Sequence, residues 1–269
     1  MKKIFLILII LTACNAPPKY KLTVCAIFKN EAPWLKEWVT YHEKLGVQHF
    51  YLYNNDSTDH YAEVLKPFID RGVVELIEWD SQDKSHHAYG GLMDAPWSAC
   101  QLGAYNDCMK KRALGKAQWV AVIDIDEFIV PVHGAESLYD LLDNAKKKGI
   151  GSLRLFWRVF GTSNVENLAE GELLTEKLTW RSLDTHPWNS QIKSIHRPEG
   201  IKFCLVHEAK RFKKFKKWTV DADVLRVHHY WTRTGLFCTE KRKMTTSSHG
   251  EFFEALHQVE DKTILQYLH

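Results

Sequence analysis

Three carboxylates lie within four consecutive positions of the sequence. Asp124, Asp126 and Glu127 follow an apolar run at residues 119–123. Carboxylates this close repel one another, so leaving them uncompensated costs stability. Mg²⁺ and Mn²⁺ prefer oxygen ligands and commonly take one or two carboxylates together with phosphate oxygens. The motif therefore predicts a divalent cation that neutralises a diphosphate leaving group, as sugar transfer from a nucleotide diphospho-sugar requires.

Two further polar clusters follow apolar runs in the same way. Residues 29–31 (Lys-Asn-Glu) follow the run at 22–28, and a polar turn at 54–59 follows the run at 49–53. The D-x-D motif alone is also compatible with a solvated turn that caps a helix. In open parallel sheets, however, ligands bind outside the carboxyl ends of the strands. Three polar clusters at such ends predict one shared binding site.

The elements that must position these clusters alternate between short apolar runs and helical patterns. Alternation of this kind indicates βαβ units and a largely parallel sheet. We therefore predict an α/β, Rossmann-like fold, with a mostly parallel central sheet flanked by helices and a smaller, mixed C-terminal part. The predicted strands are 22–28, 49–53, 73–79 and 119–123, and the predicted helices are 31–45, the stretch from the polar turn through Ile69, and 97–114.

Composition and missing motifs narrow the function classes. No Gly-rich loop of the P-loop or G-x-G-x-x-G type follows a predicted strand, which disfavours ATP hydrolysis and hydride transfer. The formal charge of +3 is too small to indicate nucleic acid as a partner. Six cysteines without a C-x-x-C pair indicate neither a disulfide framework nor a zinc site, so we expect reduced thiols.

The first 19 residues have the layout of a targeting segment. A lysine pair precedes an apolar run at 4–11, which is shorter than the roughly 20 residues that span a bilayer. The residues that end in Cys14 resemble a bacterial lipoprotein box, and two prolines then suggest a tether. We predict membrane association through this lipoprotein-type signal; a buried first strand, and a cytoplasmic protein, are the alternatives. The predicted domains are a signal-like segment at 1–19, a folded domain at 20–245 and a C-terminal helical tail at 246–269.

The acidic motif belongs to a set of longer motifs. They read C-A-I-F-K-N-E at 25–31, F-Y-L-Y-N-N-D-S-T-D at 50–59, W-V-A-V-I-D-I-D-E-F-I-V-P at 119–131, W-R-V-F-G-T-S at 157–163 and H-H-Y-W-T-R at 228–233. Together with Gln101 and residues 193–198, they resemble glycosyltransferase family 92, a relative of family 2 with a GT-A fold. The resemblance covers most of residues 22–243. It implies an inverting, metal-dependent transferase that uses a nucleotide diphospho-sugar and Mn²⁺ or Mg²⁺.

The resemblance also implies roles for individual residues. Asp124 would face the donor ribose, Asp126 would bind the metal, and His229 would be a further metal ligand or diphosphate contact. The candidate metal ligands are accordingly Asp124, Asp126 and His229. Asn54 stands where family members often have Asp. An amide side chain both donates and accepts hydrogen bonds, so this difference is compatible with donor binding but leaves the identity of the donor open. The candidate donor-binding residues are Lys29, Glu31, Asn54, Asn55, Asp59, Asp124 and Lys193.

Several residues keep both a functional and a structural interpretation. Strand alternation directs only one of His228 and His229 toward the acidic motif, and the resemblance favours His229. Trp157 and Trp188 are candidates either for stacking on an acceptor sugar or for core packing. Residues 210–218 interleave cations with aromatic side chains, which predicts either a solvated basic edge hairpin or a surface for anionic lipid headgroups or a charged acceptor.

The sequence says less about the catalytic base and the acceptor molecule than about the donor. An inverting transfer needs a base that takes the proton of the acceptor hydroxyl. Glu166, Glu170, Glu172 and Asp184 lie in the corresponding region, and the sequence does not choose among them, so the base stays unassigned. The expected acceptor is a glycan or a lipid-linked molecule, with a membrane surface as a further candidate partner.

Two other classes of protein remain as alternatives. A nucleotidyltransferase also places metal-binding acids at strand ends, but transfers the nucleotide instead of the sugar. A non-catalytic surface lipoprotein would carry an idle transferase fold. The signal-like N-terminus favours this second alternative, because nucleotide sugars are cytoplasmic and an exported enzyme would lack its donor.

Overall fold

The computed structural model describes residues 17–87 and 96–268. Residues 1–16, with the predicted signal and lipoprotein box, lie outside the described residues, as do residues 88–95 and His269. None of the described helices is long and apolar enough to cross a bilayer. The five cysteines in the described ranges are all buried and free.

The first half of the domain confirms the predicted alternation of strands and helices. Its elements are β1 (Tyr20–Phe28), α1 (Ala32–Lys44), β2 (His49–Asn54), α2 (Tyr61–Asp70), β3 (Val74–Glu78), α3 (Pro96–Asp107) and β4 (Ala117–Val122). The third helix differs from the prediction, because its last part, Cys108–Arg112, widens into a π-helix. There the Arg112 Nε donates to Asp107 Oδ2 at 2.8 Å.

The second half contains shorter and more irregular elements. They are β5 (Glu127–Pro131), α4 (Glu136–Lys147), β6 (Ile150–Val159), α5 (Leu174–Lys177), β7 (Trp180–Arg181), β8 (Ile192–His196), β9 (Ile201–Cys204), β10 (Ala209–Arg211), β11 (Lys216–Thr219), β12 (Leu225–His229), α6 (Gly235–Phe237), α7 (Thr246–Ala255) and β13 (Val259–Glu260). Residues 210–218 do not form the predicted hairpin, because β10 pairs with β9 whereas β11 pairs with β6.

Nine of the described strands form one large mixed sheet in the order β3-β2-β1-β4-β8-β6-β12-β5, with β11 also paired to β6, and β9–β10 and β7–β13 form two small sheets. β3, β2, β1 and β4 are parallel, and β12 and β11 are parallel to β6. β8 runs antiparallel between β4 and β6, and β5 runs antiparallel to β12 at the edge. The predicted α/β fold with a mostly parallel sheet is therefore confirmed, and β8 and β5 account for its mixed part.

Helices cover both faces of the parallel half of the sheet. Alternate residues of β1 belong to two different cores: Val24 and Ala26 pack on the side of α1, and Cys25 and Ile27 pack on the side of α3. Burial on both faces explains why these strands read as continuous apolar runs. It also fixes the register, because a shift of one residue would exchange the two faces.

The segment after residue 245 packs against the domain. It begins with α7 but is not helical throughout, because β13 pairs with β7. Ile264 and Tyr267 are part of the main core. The Asp261 carboxylate accepts hydrogen bonds of 2.7 Å from Arg181 and from Arg226. The predicted boundary at residue 245 stays a prediction.

Candidate functional site

The acidic motif forms the connection between two distant strands. β4 ends at Val122 in the middle of the sheet, and β5 begins at Glu127 and reaches the far edge. The sequence did not predict β5 as a separate strand. The motif therefore lies at the carboxyl ends of the parallel strands, and the Tyr230 amide at the end of β12 donates to the Asp126 carbonyl at 2.8 Å.

Asp124 is held by two neighbours. Its Oδ2 accepts a hydrogen bond from Lys193 Nζ at 2.7 Å, and its Oδ1 accepts one from the Tyr105 hydroxyl at 3.0 Å. Burial alone would raise the pKa of this carboxyl, but the Lys193 charge and the two hydrogen bonds outweigh burial and hold the pKa below its usual value. Asp124 is therefore ionised and paired with Lys193.

Lys193 and Glu127 form the buried floor of the site. Glu127 is fully buried; its Oε2 accepts from the Asp124 amide at 2.8 Å and lies 3.2 Å from Lys193 Nζ. Burial raises the pKa of Glu127 well above its usual value, and the charges of Asp124 and Asp126 raise it further. Lys193 opposes this shift only in part. Asp124 and Glu127 thus share the single buried positive charge of Lys193.

Asp126 faces three nitrogen-bearing side chains. Its Oδ1 lies 3.7 Å from His229 Nε2, and its Oδ2 lies 3.7 Å from Arg233 Nη2 and 3.8 Å from Arg242 Nη2. These separations allow charge attraction but are too long for hydrogen bonds. The carboxylate therefore keeps lone pairs that a further ligand can use.

The two histidines of the closing motif point to different sides of β12. His229 faces Asp126 and packs on Trp157, with ring centroids 4.2 Å apart. His228 Nε2 instead accepts from Arg226 Nε at 3.0 Å, next to Asp261. Strand alternation thus directs only His229 to the acidic motif, as predicted. Burial lowers the pKa of His229 to about 4, so its imidazole is neutral near pH 7.

Arg233 connects the acidic motif to the end of β1. Its Nη1 lies 2.6 Å from Glu31 Oε2, and its guanidinium packs over the rings of Trp34 and Phe237 at 5.2 and 4.6 Å. Arg233 is almost fully buried and has a positive φ of 50°, so its placement depends on the surrounding packing. Two of the three polar clusters therefore meet at this guanidinium.

The remaining candidate donor residues form a neighbouring cluster. The Asn54 amide donates to Glu78 Oε2 at 2.6 Å, and the Asn55 amide donates to the Trp79 carbonyl at 3.1 Å. Asp59 Oδ2 accepts from the backbone amide of Ala32 at 2.8 Å and so caps the start of α1. Lys29, which follows β1, is exposed. Because Asn54 and Asn55 bond to Glu78 and Trp79, part of this cluster stabilises the loops at the strand ends.

Three residues of the site had no predicted role. Arg233 belongs to the closing motif H-H-Y-W-T-R, which was a usable signal. Arg242 and Tyr105 lie in helical segments with ordinary composition, so only the three-dimensional structure brings them to the motif. Arg242 also packs its guanidinium 4.3 Å from the centre of the Trp231 ring.

Asp126 and His229 together offer two ligands for a divalent cation. Asp126 offers a carboxylate with open lone pairs, and His229 offers a neutral imidazole, as metal binding requires. The Nδ1 of His229 is buried without a hydrogen-bond partner among the described residues. In residues 17–87 and 96–268, no three or more His, Cys, Asp or Glu side chains cluster closely enough to hold a metal. Substrate phosphates and water commonly complete a site with so few protein ligands.

The acceptor-side candidates lie in different surroundings. Trp188 packs against Trp231 and Phe252, with ring centroids 5.4 Å apart in both pairs. Asp184 pairs with Arg158 and Arg181, and Glu172 pairs with Lys177. Glu166 and Glu170 are exposed, and the carboxylate of Glu166 lies beside Gly235. Glu170 lines a largely apolar cavity of about 580 Å³ that runs along α1.

The fold and the site together define a class of protein. It is an α/β protein in which carboxylates, a neutral imidazole and two arginines converge at the carboxyl ends of parallel strands, an arrangement suited to a phosphate-bearing ligand. A model of glycosyltransferase family 92 matches residues 20–267. The chain belongs to this family.

Two curated relatives are similar to most of this chain. Glycosyltransferase family 92 proteins of Ricinus communis and Oryza sativa subsp. japonica are 28% identical over 219 residues and 29% identical over 218 residues. Each match covers 78% of this chain but only 35% and 33% of the relative. The chain thus spans about a third of the length of the curated relatives that it matches.

Solved structures resemble the chain more distantly. Residues 1–349 of Staphylococcus aureus TarS are 10% identical, with a TM-score of 0.46 over 79% of this chain and 61% of that chain. Glucosyl-3-phosphoglycerate synthase of Mycobacterium tuberculosis, solved with Mn²⁺ and UDP, is 14% identical, with a TM-score of 0.37 over 68% of this chain and 58% of that chain.

Proposed function

We propose that this protein transfers a sugar, with inversion, from a nucleotide diphospho-sugar to a hydroxyl of a glycan or lipid-linked acceptor, and that the reaction depends on Mn²⁺ or Mg²⁺. The observation that carries the proposal is the environment of Asp126. Its open carboxylate faces a neutral His229 and two arginines, Arg233 and Arg242, at the carboxyl edge of the sheet. Family membership supports the same class of reaction.

The arginines suit the diphosphate part of the donor. A guanidinium donates paired hydrogen bonds that match phosphate geometry. Arg233 is buried between aromatic rings, so little side-chain entropy is lost when it binds an anion. We therefore assign Arg233 and Arg242 to the diphosphate, beside the donor residues predicted from the sequence.

Asp126 and His229 are the residues that would hold the cation. A role for Asp124 as a metal ligand stays a prediction, because both of its carboxylate oxygens accept hydrogen bonds from Lys193 and Tyr105. A bound cation would neutralise the charge that develops on the departing diphosphate. Lys193 orients Asp124 and keeps it ionised, ready to accept a hydrogen bond from a donor hydroxyl. The buried Glu127 holds the Asp124 amide and so fixes the turn.

The general base that takes the proton of the acceptor hydroxyl is not assigned, but the contacts of the four candidates indicate which to test first. Asp184 and Glu172 already pair with cations, which ties them to structural partners. Glu166 lies beside Gly235, two residues from Arg233, and is therefore the first of the four candidates to test. The aromatic cluster of Trp188, Trp231 and Phe252 adjoins Arg242 through Trp231 and is a surface on which an acceptor sugar can stack.

Replacement of the two neighbouring histidines tests the proposed site. We expect His229→Ala to weaken Mn²⁺-dependent donor binding at least tenfold, the equivalent of about 1.4 kcal/mol, because the cation loses one of two protein ligands. His228→Asn should leave donor affinity nearly unchanged, because His228 contacts Arg226 and Asp261 on the other side of β12. The measurement is titration of the donor at fixed Mn²⁺, with circular dichroism to verify that both variants fold. Equal losses in the two folded variants would show that His229 is not a ligand.

A further inference from the structure

One end of the molecule is strongly basic, and it is the end opposite the donor site. β4 begins at this end, and β1 runs parallel to it with Tyr20 paired to Ala117. β11 also begins here, because Lys216 pairs with Ile150 at the start of β6. The lysines that we define as the basic face are Lys19, Lys116, Lys146, Lys147, Lys148, Lys202, Lys210, Lys213, Lys214, Lys216 and Lys217, all of which are exposed.

The charge of this face is largely uncompensated. Ion pairs at this end include Lys21 with Asp143, Arg197 with Glu199, Arg71 with Glu43, and Arg112 with Glu75. Within the described residues, no lysine of the basic face lies within 4 Å of a carboxylate in an ion pair of its own. The formal charge of the whole chain is only +3, so the concentration of lysines at one end makes the molecule electrically asymmetric.

Aromatic side chains lie among these cations. Phe212 is 44% exposed, and Lys202 Nζ lies 5.7 Å from the centre of its ring. Lys148 lies 5.5 Å above the Trp218 ring, and Lys214 lies 5.2 Å above the Phe215 ring. Aromatic rings interleaved with lysines are typical of surfaces that enter the interface of a bilayer, where rings insert and ammonium groups meet lipid phosphates.

The N-terminal segment joins the domain at this same end. The Tyr20 amide donates to the Lys116 carbonyl at 2.9 Å, which fixes the point where the chain enters the sheet. The apolar run at residues 4–11 precedes this point by only residues 12–19, a length that spans at most roughly 29 Å. Membrane attachment of that run would hold the basic face close to the lipid surface.

We propose that the basic face docks on the surface of an anionic bilayer. A single lipid or short apolar anchor gives weak, reversible attachment, and a polybasic surface is the second signal that makes attachment stable. The donor site then faces away from the membrane, about 20 Å from it across the length of β4. This proposal goes beyond the proposed function and does not depend on whether the protein transfers sugars.

Vesicle binding by the full-length chain tests the proposal. We compare the unmodified protein with Lys213→Gln/Lys214→Gln, using vesicles of phosphatidylcholine alone and vesicles with about a third phosphatidylserine. The double variant should bind the anionic vesicles about 25-fold more weakly, because each lysine near such a surface contributes roughly a fivefold factor. Its binding to pure phosphatidylcholine, which the apolar run alone would support, should not change.

A matched double variant controls for net charge. Lys36→Gln/Lys66→Gln removes the same two charges from exposed positions on α1 and α2 and should retain full binding to anionic vesicles. Unchanged melting temperatures would show that both variants fold. Equal binding by the two double variants, or equal affinity of the unmodified protein for both vesicle types, would overturn the proposal. So would tighter binding of single-stranded RNA than of anionic vesicles at the same ionic strength.

Discussion

Asp126→Asn should lower the rate of nucleoside diphosphate release from the donor by roughly 10²–10³-fold, the size of effect expected when one preorganised electrostatic contact to the departing group is lost. Asparagine keeps the shape of the side chain but removes the charge that, with His229, would hold the cation. The stimulation by Mn²⁺ should disappear together with the activity. The measurement is the rate of nucleoside diphosphate release with Mn²⁺ and with excess chelator.

The same variant should behave differently toward the nucleotide alone. Arg233 and Arg242 lie 3.7 and 3.8 Å from the Asp126 carboxylate. Removing that negative charge removes one competitor for both arginines, while Arg233 keeps its ion pair with Glu31, so the metal-free affinity for a nucleoside diphosphate should not fall. Asp143→Asn is the matched control, because Asp143 pairs with Lys21 at the opposite end of the molecule. Full activity of Asp126→Asn in chelator would show that Asp126 has no part in a metal site.

Acid should destabilise the fold well before the carboxylates titrate. Burial lowers the pKa of both His42 and His196 to about 3, so the native state keeps them neutral. The unfolded state takes up a proton on each near pH 6.5, and therefore binds more protons than the native state at every pH between about 6.5 and 3. The stabilising contribution is complete above about pH 6.5 and is lost as the pH falls toward 3. Each histidine should lower the free energy of unfolding by about 1.4 kcal/mol per pH unit, or roughly 2 kcal/mol at pH 5.

A variant can assign this loss to a particular residue. The two ring nitrogens of His42 contact the Trp38 carbonyl at 2.8 Å and the Ile129 amide at 3.3 Å. His42→Gln retains a donor and an acceptor without titrating, so the slope of unfolding free energy against pH should decrease by one proton. His60→Gln, which removes a histidine from an exposed position, is the matched control. Urea unfolding at intervals from pH 7 to pH 5 measures both slopes. A free energy that does not change over this range would contradict the expectation.

The parallel half of the fold was predictable because its strands are buried on both faces. Runs such as residues 22–28 and 119–123 are almost entirely apolar, and each is followed by polar residues at a strand end. Such runs lack the alternation of a half-buried strand, so their short length and β-branched residues are what favour a strand over a helix. The placement of the acidic motif at the carboxyl edge followed from the same reasoning.

The other half was less predictable because its pairing depends on contacts between distant segments. Residues 127–131 read as a continuation of the acidic motif, and only pairing with β12, about a hundred residues later, makes them a separate strand. Arg233 and Arg242 reach Asp126 for the same reason. Neither periodicity nor spacing encodes such proximity, although the closing motif identified Arg233 as part of a conspicuous pattern.

The structure also assigns unexpected partners to some predicted residues. The sequence indicates that Asp124 and Lys193 belong to one binding site, but not that they form an ion pair with each other. Asp59 was predicted to bind the donor, and the structure shows that its Oδ2 caps the start of α1. Polar residues at strand ends can thus maintain the shape of a site as well as contact its ligand, and only the pairing of individual atoms separates the two roles.

Calorimetric titration of the unmodified protein with UDP and with GDP, each with and without Mn²⁺, tests the proposed donor site most directly. We expect one of the two to bind with a stoichiometry of about one, and more tightly with Mn²⁺, since Asp126 and His229 would share the cation with the diphosphate. At a concentration near one hundred times its Kd, that nucleotide should stabilise the fold by about 2.7 kcal/mol and raise the melting temperature accordingly. If neither nucleotide binds at millimolar concentration with Mn²⁺ present, the proposed UDP- or GDP-sugar donor site is contradicted.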